Sequence, residues 1–166
     1  LEGVWKVKDF NGRAQLDVSS LYALVQADRV QDASAFVRQS AVTREVWWAY
    51  YNAKVRPLMD HPEIERLIDD MLEEAPAFFS APAAKTMHQN WRGGLAEHTY
   101  RILHLFVGLV ESGHPSIAQC CKALVVTGIV MHDFGKIAEY EQVAPGQYEI
   151  GKWGSLVGHL AGAPIE

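Results

Sequence analysis

The stretch Ala123-Leu124-Val125-Val126-Thr127-Gly128-Ile129-Val130-Met131-His132-Asp133-Phe134-Gly135-Lys136 decides how the chain is read. Nine residues without a charge lead directly into a histidine and an aspartate. A run of this kind is expected to form an almost wholly buried helix that delivers His132 and Asp133 to the protein interior. An unpaired carboxylate there is too costly in a low-dielectric medium, so Asp133 needs a cation or a metal. The run is about half the length a bilayer requires, so it is not a membrane span. Two further histidines stand on helical patterns of their own. His98 lies on the apolar face of a pattern from Leu95 to Glu111, with Leu95, Ile102, Leu105 or Phe106, and Leu109. His159 lies in a last pattern from Lys152 to Ala161. Imidazoles and a carboxylate drawn from distant helices match no zinc-finger spacing. They suit a borderline divalent ion in a site with open positions.

Around this stretch the helical period holds from about residue 30. Thr43 to Met59 carries Val46, Trp47, Tyr50, Tyr51, Lys54 and Leu58 at helical spacing. This aromatic stripe is read as core packing in preference to a base-stacking platform. Asp60-His61-Pro62-Glu63 restarts a helix with proline early and acids in the first turn, and His61 is expected at the surface. Pro76 and Pro82 break the pattern. Gly93-Gly94 opens the His98 helix. Ser116 is expected to cap a helix running through Cys120 to Met131, and Pro145-Gly146 marks a turn between short segments around Tyr140 and Tyr148. The front of the chain differs. Val4 to Phe10 and Arg13 to Val18 flank Asn11-Gly12, a strong hairpin signal because both turn residues accept positive φ. A lone hairpin is marginal in water, so it is expected to pack on the helical body or to end a larger sheet. The predicted fold is an all-α bundle preceded by a short β hairpin.

Composition sets bounds. The 166 residues, 49% apolar and 21% charged, describe one globular core with a small appendage and exclude global disorder. Fifteen basic against twenty acidic residues give a net charge of −5. Nucleic-acid binding must therefore come from a local basic patch or a bound metal. Cys120 and Cys121 are the only cysteines and form no disulfide framework. They are read as small hydrophobes on a helix in a reducing compartment, which places the protein in the cytoplasm.

His98 followed by His132-Asp133 and Gly135-Lys136 resembles the HD-domain metal-dependent phosphohydrolases, an all-α superfamily acting on phosphate esters. Pro82-Ala83-Ala84-Lys85 through His88, Gly93-Gly94-Leu95-Ala96-Glu97-His98-Thr99, His132 to Lys136, and then Tyr148, Gly151 and Gly158-His159 are similar to the YhaM-type 3′–5′ exoribonucleases. The resemblance implies three segments. Residues 1–20 would be the last strands of an OB-like β domain, 21–85 a helical connector packed on the core, and 86–166 the HD domain. That pattern includes a later Asp ligand, so the chain is expected to end before the last ligand.

The resemblance implies that His98, His132 and Asp133 hold a first divalent cation and His159 a second one or the phosphate wall. Manganese is expected first, with Co²⁺, Fe²⁺, Ni²⁺, Zn²⁺ and Mg²⁺ as alternatives, one or two per site. Asp133 would bridge or orient water, and Lys136 would place charge on a phosphate oxygen; a helix cap and a surface lysine are the plain alternatives. His88 and Arg92 would contact the phosphate or protonate the leaving 3′ oxygen, or else only shape the loop. Trp91 and Tyr148 would stack on bases or pack the loop. Single-stranded RNA, with DNA as a further substrate, is the expected partner, without a membrane and with homo-oligomerisation open. A phosphohydrolase of nucleotides or cyclic nucleotides and a non-catalytic helical binding module are the competing readings.

Overall fold

The computed structural model describes residues 2–10, 12–23, 37–86 and 89–158. The chain divides into two compact units, residues 1–35 and 36–166. In the first, β1 (Glu2–Phe10) and β2 (Arg13–Ala23) form an antiparallel ribbon closed between Phe10 and Arg13. Gly12 has φ +76°, and its N–H donates to Asp9 Oδ1 at 3.0 Å, which closes the turn. Bulges near Gly3 and Trp5 add local twist. The strand pairing extends to Ala23, beyond the Val18 suggested by alternation alone.

The second unit is mainly helical. Thr43 caps α1 (Arg44–Tyr50) by accepting from the Val46 N–H at 3.3 Å. The helix runs on through a π-helical turn at Tyr51–Val55 and a 3₁₀ turn at Arg56–Leu58. Trp47 and Tyr51 are fully buried and stack at 5.0 Å, and Phe78 meets Trp47 edge-on. Most of the aromatic stripe is core. α2 (Pro62–Glu74) starts with proline and acids and buries Ile68 and Leu72. Arg56 pins it to the preceding segment through two bonds to Asp69, at 2.8 and 2.9 Å.

α3 (Gly94–Glu111) buries Leu95, Thr99, Leu103, Phe106 and Val107, while Leu105 is exposed. Of the two alternatives in the sequence pattern, Phe106 faces the core. α4 (Lys122–Met131) packs on α2 and α3 through Ala123, Val126 and Val130. It is not wholly buried: Leu124 and Met131 are exposed, because an apolar helix laid on one face of a bundle still turns its far side to solvent. The helix expected from Ser116 is also broken. A 3₁₀ turn at Pro115–Ile117 is followed by a loop, and α4 begins only at Lys122. Cys120 and Cys121 lie exposed in that loop rather than in a helix.

After α4 the chain makes α5 (Lys136–Glu139), then a second hairpin, β3 (Tyr140–Ala144) and β4 (Gln147–Ile150), around Pro145-Gly146. The body is thus helical with a hairpin inserted rather than purely helical. α6 (Lys152–Val157) closes the described residues, and Gly154 lets it approach α5, since a Cβ there would meet the Glu139 carbonyl at 2.4 Å. Among the described residues no helix is long and apolar enough to cross a membrane.

Candidate metal centre

The second turn of α3 and the end of α4 meet at three side chains. His132 is the residue that ends α4, its N–H donating to Gly128 at 2.9 Å. Against the expectation that the helix delivers both residues to the interior, its ring stays exposed because α4 turns one side to solvent, and only Asp133 is buried, at 8% exposure. His98 comes from the second turn of α3. His132 Nε2 lies 3.4 Å from His98 Nε2, and Asp133 Oδ2 lies 3.3 Å from the former and 3.6 Å from the latter. The three atoms form a nearly equilateral triangle. A point about 2.0 Å from each lies near its centre, which is the ordinary bond length from nitrogen or oxygen to a first-row divalent ion. His98, His132 and Asp133 are the one cluster among the described residues that could hold a metal ion.

The rings are oriented for that use. His98 Nδ1 stands 3.1 Å from Gln89 Oε1, and His132 Nδ1 stands 2.8 Å from the Ile129 carbonyl. An oxygen acceptor at Nδ1 puts the proton there and turns the Nε2 lone pair inward. Two lone pairs and a carboxylate oxygen then face one another, an arrangement that a cation relieves.

Asp133 is held from behind. Lys136, one turn on, donates to Asp133 Oδ2 at 2.8 Å and to the Ala83 carbonyl at 2.6 Å. The lysine side chain is only 13% exposed, so it is no plain surface residue. The Asp133 carboxylate faces Lys136 and the two imidazoles.

The loop between residues 80 and 93 frames the centre because glycine lets it. Gly93 has φ +77°, and its N–H reaches the Ser80 carbonyl at 3.1 Å. A Cβ on Gly94 would stand 1.9 Å from the Gln89 carbonyl oxygen, which itself accepts from Ala83 N–H at 3.0 Å. Gln89 is buried with φ +54°, a conformation non-glycine residues seldom adopt. Its contact with His98 has no signal in the sequence beyond its nearness to the glycine pair.

Trp91 anchors the same loop. Its indole donates to Glu97 Oε2 at 2.9 Å, and the Arg38 guanidinium lies 3.5 Å above the ring. That face is covered, so Trp91 is no open stacking platform on it. Burial pushes the Glu97 carboxyl up, but hydrogen bonds from Trp91 and Ser40, with Arg101 beside it, outweigh this and hold it below its ordinary range. Arg92 is exposed and lines a cleft of about 310 Å³ together with Tyr148. His88 and His159 lie outside the described residues, so the structure says nothing of their positions.

Comparison with known proteins gives a consistent likeness. The chain is 29% identical over 156 residues, 93% of its length, to the 3′-5′ exoribonuclease YhaM of Shouchella clausii, of which it covers 46%. It is 28% identical over 94% of its length to the protein of the same name from Halalkalibacterium halodurans, and 28% identical over 93% to that from a Geobacillus species, covering 47% and 45% of them. The chain spans about half the length of the curated relatives it matches. No family model and no solved structure matches it.

Proposed function

We propose that the helical unit is an HD-type, metal-dependent phosphodiester hydrolase that removes nucleotides from the 3′ end of single-stranded RNA. The observation that carries this reading is the convergence of His98 Nε2, His132 Nε2 and Asp133 Oδ2 within 3.6 Å, each imidazole presented by an oxygen acceptor at its other nitrogen. The likeness of nearly the whole chain to proteins named 3′-5′ exoribonuclease supports the substrate class.

A divalent cation held by these three residues, manganese first among the candidates, supplies Lewis acidity and makes water acidic enough to ionise near neutral pH. Asp133 keeps a fixed negative oxygen at the centre and orients the attacking water. Lys136 locks that carboxylate in place and adds positive charge beside the phosphate. As water adds to phosphorus, the bond to the 3′ oxygen of the preceding nucleotide breaks, and His88 donates the proton that this oxygen takes. Arg92 and Trp91 contact the substrate, and His159 serves a second cation. Residues 1–20 act as the last strands of an OB-like domain that holds the single strand. The enzyme works in the cytoplasm.

The test is a manganese-supplemented assay on 3′-labelled single-stranded RNA, with the His132→Ala, Asp133→Ala double variant alongside. Release of the labelled 3′-terminal mononucleotide, followed by stepwise release of unlabelled ones and lost in the variant, is the expected result. Intact RNA with metal bound to the protein would overturn the nuclease reading and shift weight to a small phosphate ester.

A further inference from the structure

Beside the triad lies a concavity of different chemistry. The cleft of about 310 Å³ is bounded by Pro82, Arg92, Ile137, Tyr140, Gln142 and Tyr148. It shares two walls with the metal centre. Pro82 precedes the Ala83 whose carbonyl receives Lys136, and Ile137 directly follows Lys136. Tyr140 lines the cleft and starts β3 directly after α5, the helix that begins with Lys136; burial, then the carboxylates of Glu139 and Asp133, push its hydroxyl above the ordinary tyrosine range.

Tyr148 is tied at its tip to the loop that frames the centre, its hydroxyl donating to the Ser80 carbonyl at 3.5 Å. With that hydroxyl engaged, the ring is a fixed wall rather than a mobile donor. Pro82 and Ile137 add aliphatic surface, and Arg92 adds a positive charge whose influence reaches the Tyr148 hydroxyl. Aromatic and aliphatic walls with one guanidinium suit a flat heterocycle joined to an anion.

We infer that this cleft binds a single nucleotide unit of the substrate, its base against the Tyr140 and Tyr148 side and its phosphate toward Arg92. The inference rests on the reading of the triad as a phosphodiester-cleaving centre. The volume lies at the low end of the range for small-molecule sites, roughly 300–1,000 Å³. It has room for one unit and not for a stacked run of several. The terminal nucleotide would therefore be gripped beside the cation, and the strand that follows would pass outside.

The probe is adenosine 5′-monophosphate titrated into the protein with a metal chelator present, followed by calorimetry. The parent is expected to bind it, Tyr148→Ala to weaken binding about tenfold or more, and Tyr148→Phe to stay near the parent. Arg92→Ala is expected to weaken the monophosphate while leaving adenosine bound as in the parent. Should Tyr148→Ala fail to fold by circular dichroism, Arg92→Ala, at an exposed position, decides the matter alone. No binding to the parent, or equal binding in parent, Tyr148→Ala and Arg92→Ala, would overturn the cleft assignment. Because no cation is present, that result leaves the RNA-cleavage reading standing; failure of the RNA assay with the monophosphate still bound would instead remove the cleft's role toward an RNA substrate and leave its nucleotide binding.

Discussion

His98 and His132 stand thirty-four residues apart in the chain, yet their Nε2 atoms face each other across 3.4 Å. Each ring is turned by an acceptor from its own neighbourhood, Gln89 for His98 and the carbonyl of Ile129 for His132. Facing lone pairs beside a carboxylate are unfavourable without a positive charge between them, and the packing of α3 on α4 supplies the energy that holds them together.

Gln89 is expected to act through His98. Gln89→Asn keeps a residue type that tolerates its positive φ, but shortens the amide by one methylene so that it no longer reaches Nδ1. The expected result is a 10- to 100-fold loss of manganese affinity, the usual scale for an orienting partner of a metal-bound histidine. The melting temperature should stay near that of the parent. Calorimetric titration with manganese and a thermal melt read the two separately.

Gly94 and Gly108 lie on the same helix and should respond in opposite directions. Gly94→Ala places a methyl 1.9 Å from the Gln89 carbonyl, so the loop must shift; a destabilisation of about 3 kcal/mol is expected. Nothing lies within 4 Å of a Cβ at Gly108, so Gly108→Ala should stabilise by about 0.5–1 kcal/mol through helix propensity and a less flexible unfolded chain. Urea denaturation of both variants measures the difference.

Much of this centre is legible from the sequence, and the rest fails for identifiable reasons. His98 and Asp133 stand out because apolar helical patterns carry them inward, and His132 because it adjoins Asp133, although its own ring stays exposed. Lys136 follows from its position one turn on. Gln89 is hidden because its role depends on a loop folded back over Gly94, which no local pattern reveals. The α4 pattern reads as wholly buried because hydropathy does not tell which side a bundle covers, and Leu124 and Met131 turn outward. Cys120 and Cys121 look helical by spacing, but Pro115 starts a 3₁₀ turn that the chain does not continue into a helix. The hairpin at Tyr140–Ile150 is marked by Pro145-Gly146 but is too short for its alternation to be recognised.

Lys136 is expected to matter most when no cation is bound. Lys136→Met leaves the buried Asp133 carboxylate without its 2.8 Å ammonium partner, at a cost of about 3 kcal/mol. A cation in the triad would offset part of this loss. Manganese should therefore raise the melting temperature of the variant more than that of the parent. An equal rise in both would show that Lys136 and the cation act on different groups.

Glu97 links stability to pH. Its carboxyl is held below the ordinary value of 4.5, despite burial, by hydrogen bonds from Trp91 and Ser40 and by Arg101. The native state therefore binds fewer protons than the unfolded chain there. This contribution is complete above pH 4.5 and is lost as the pH falls through the lower native value. Glu97→Gln should flatten the fall in melting temperature below pH 4.5. An acid limb of unchanged slope in Glu97→Gln would remove Glu97 from the cause.

The most direct test of the metal centre is a manganese titration of the chelator-treated protein, compared with His98→Ala and with the His132→Ala, Asp133→Ala double variant. At least one manganese bound per parent chain, and loss of that binding in both variants with the fold intact by circular dichroism, is the expected result. Equal manganese binding in parent and variants would show that His98, His132 and Asp133 do not form the site, and the proposed chemistry would fall with it.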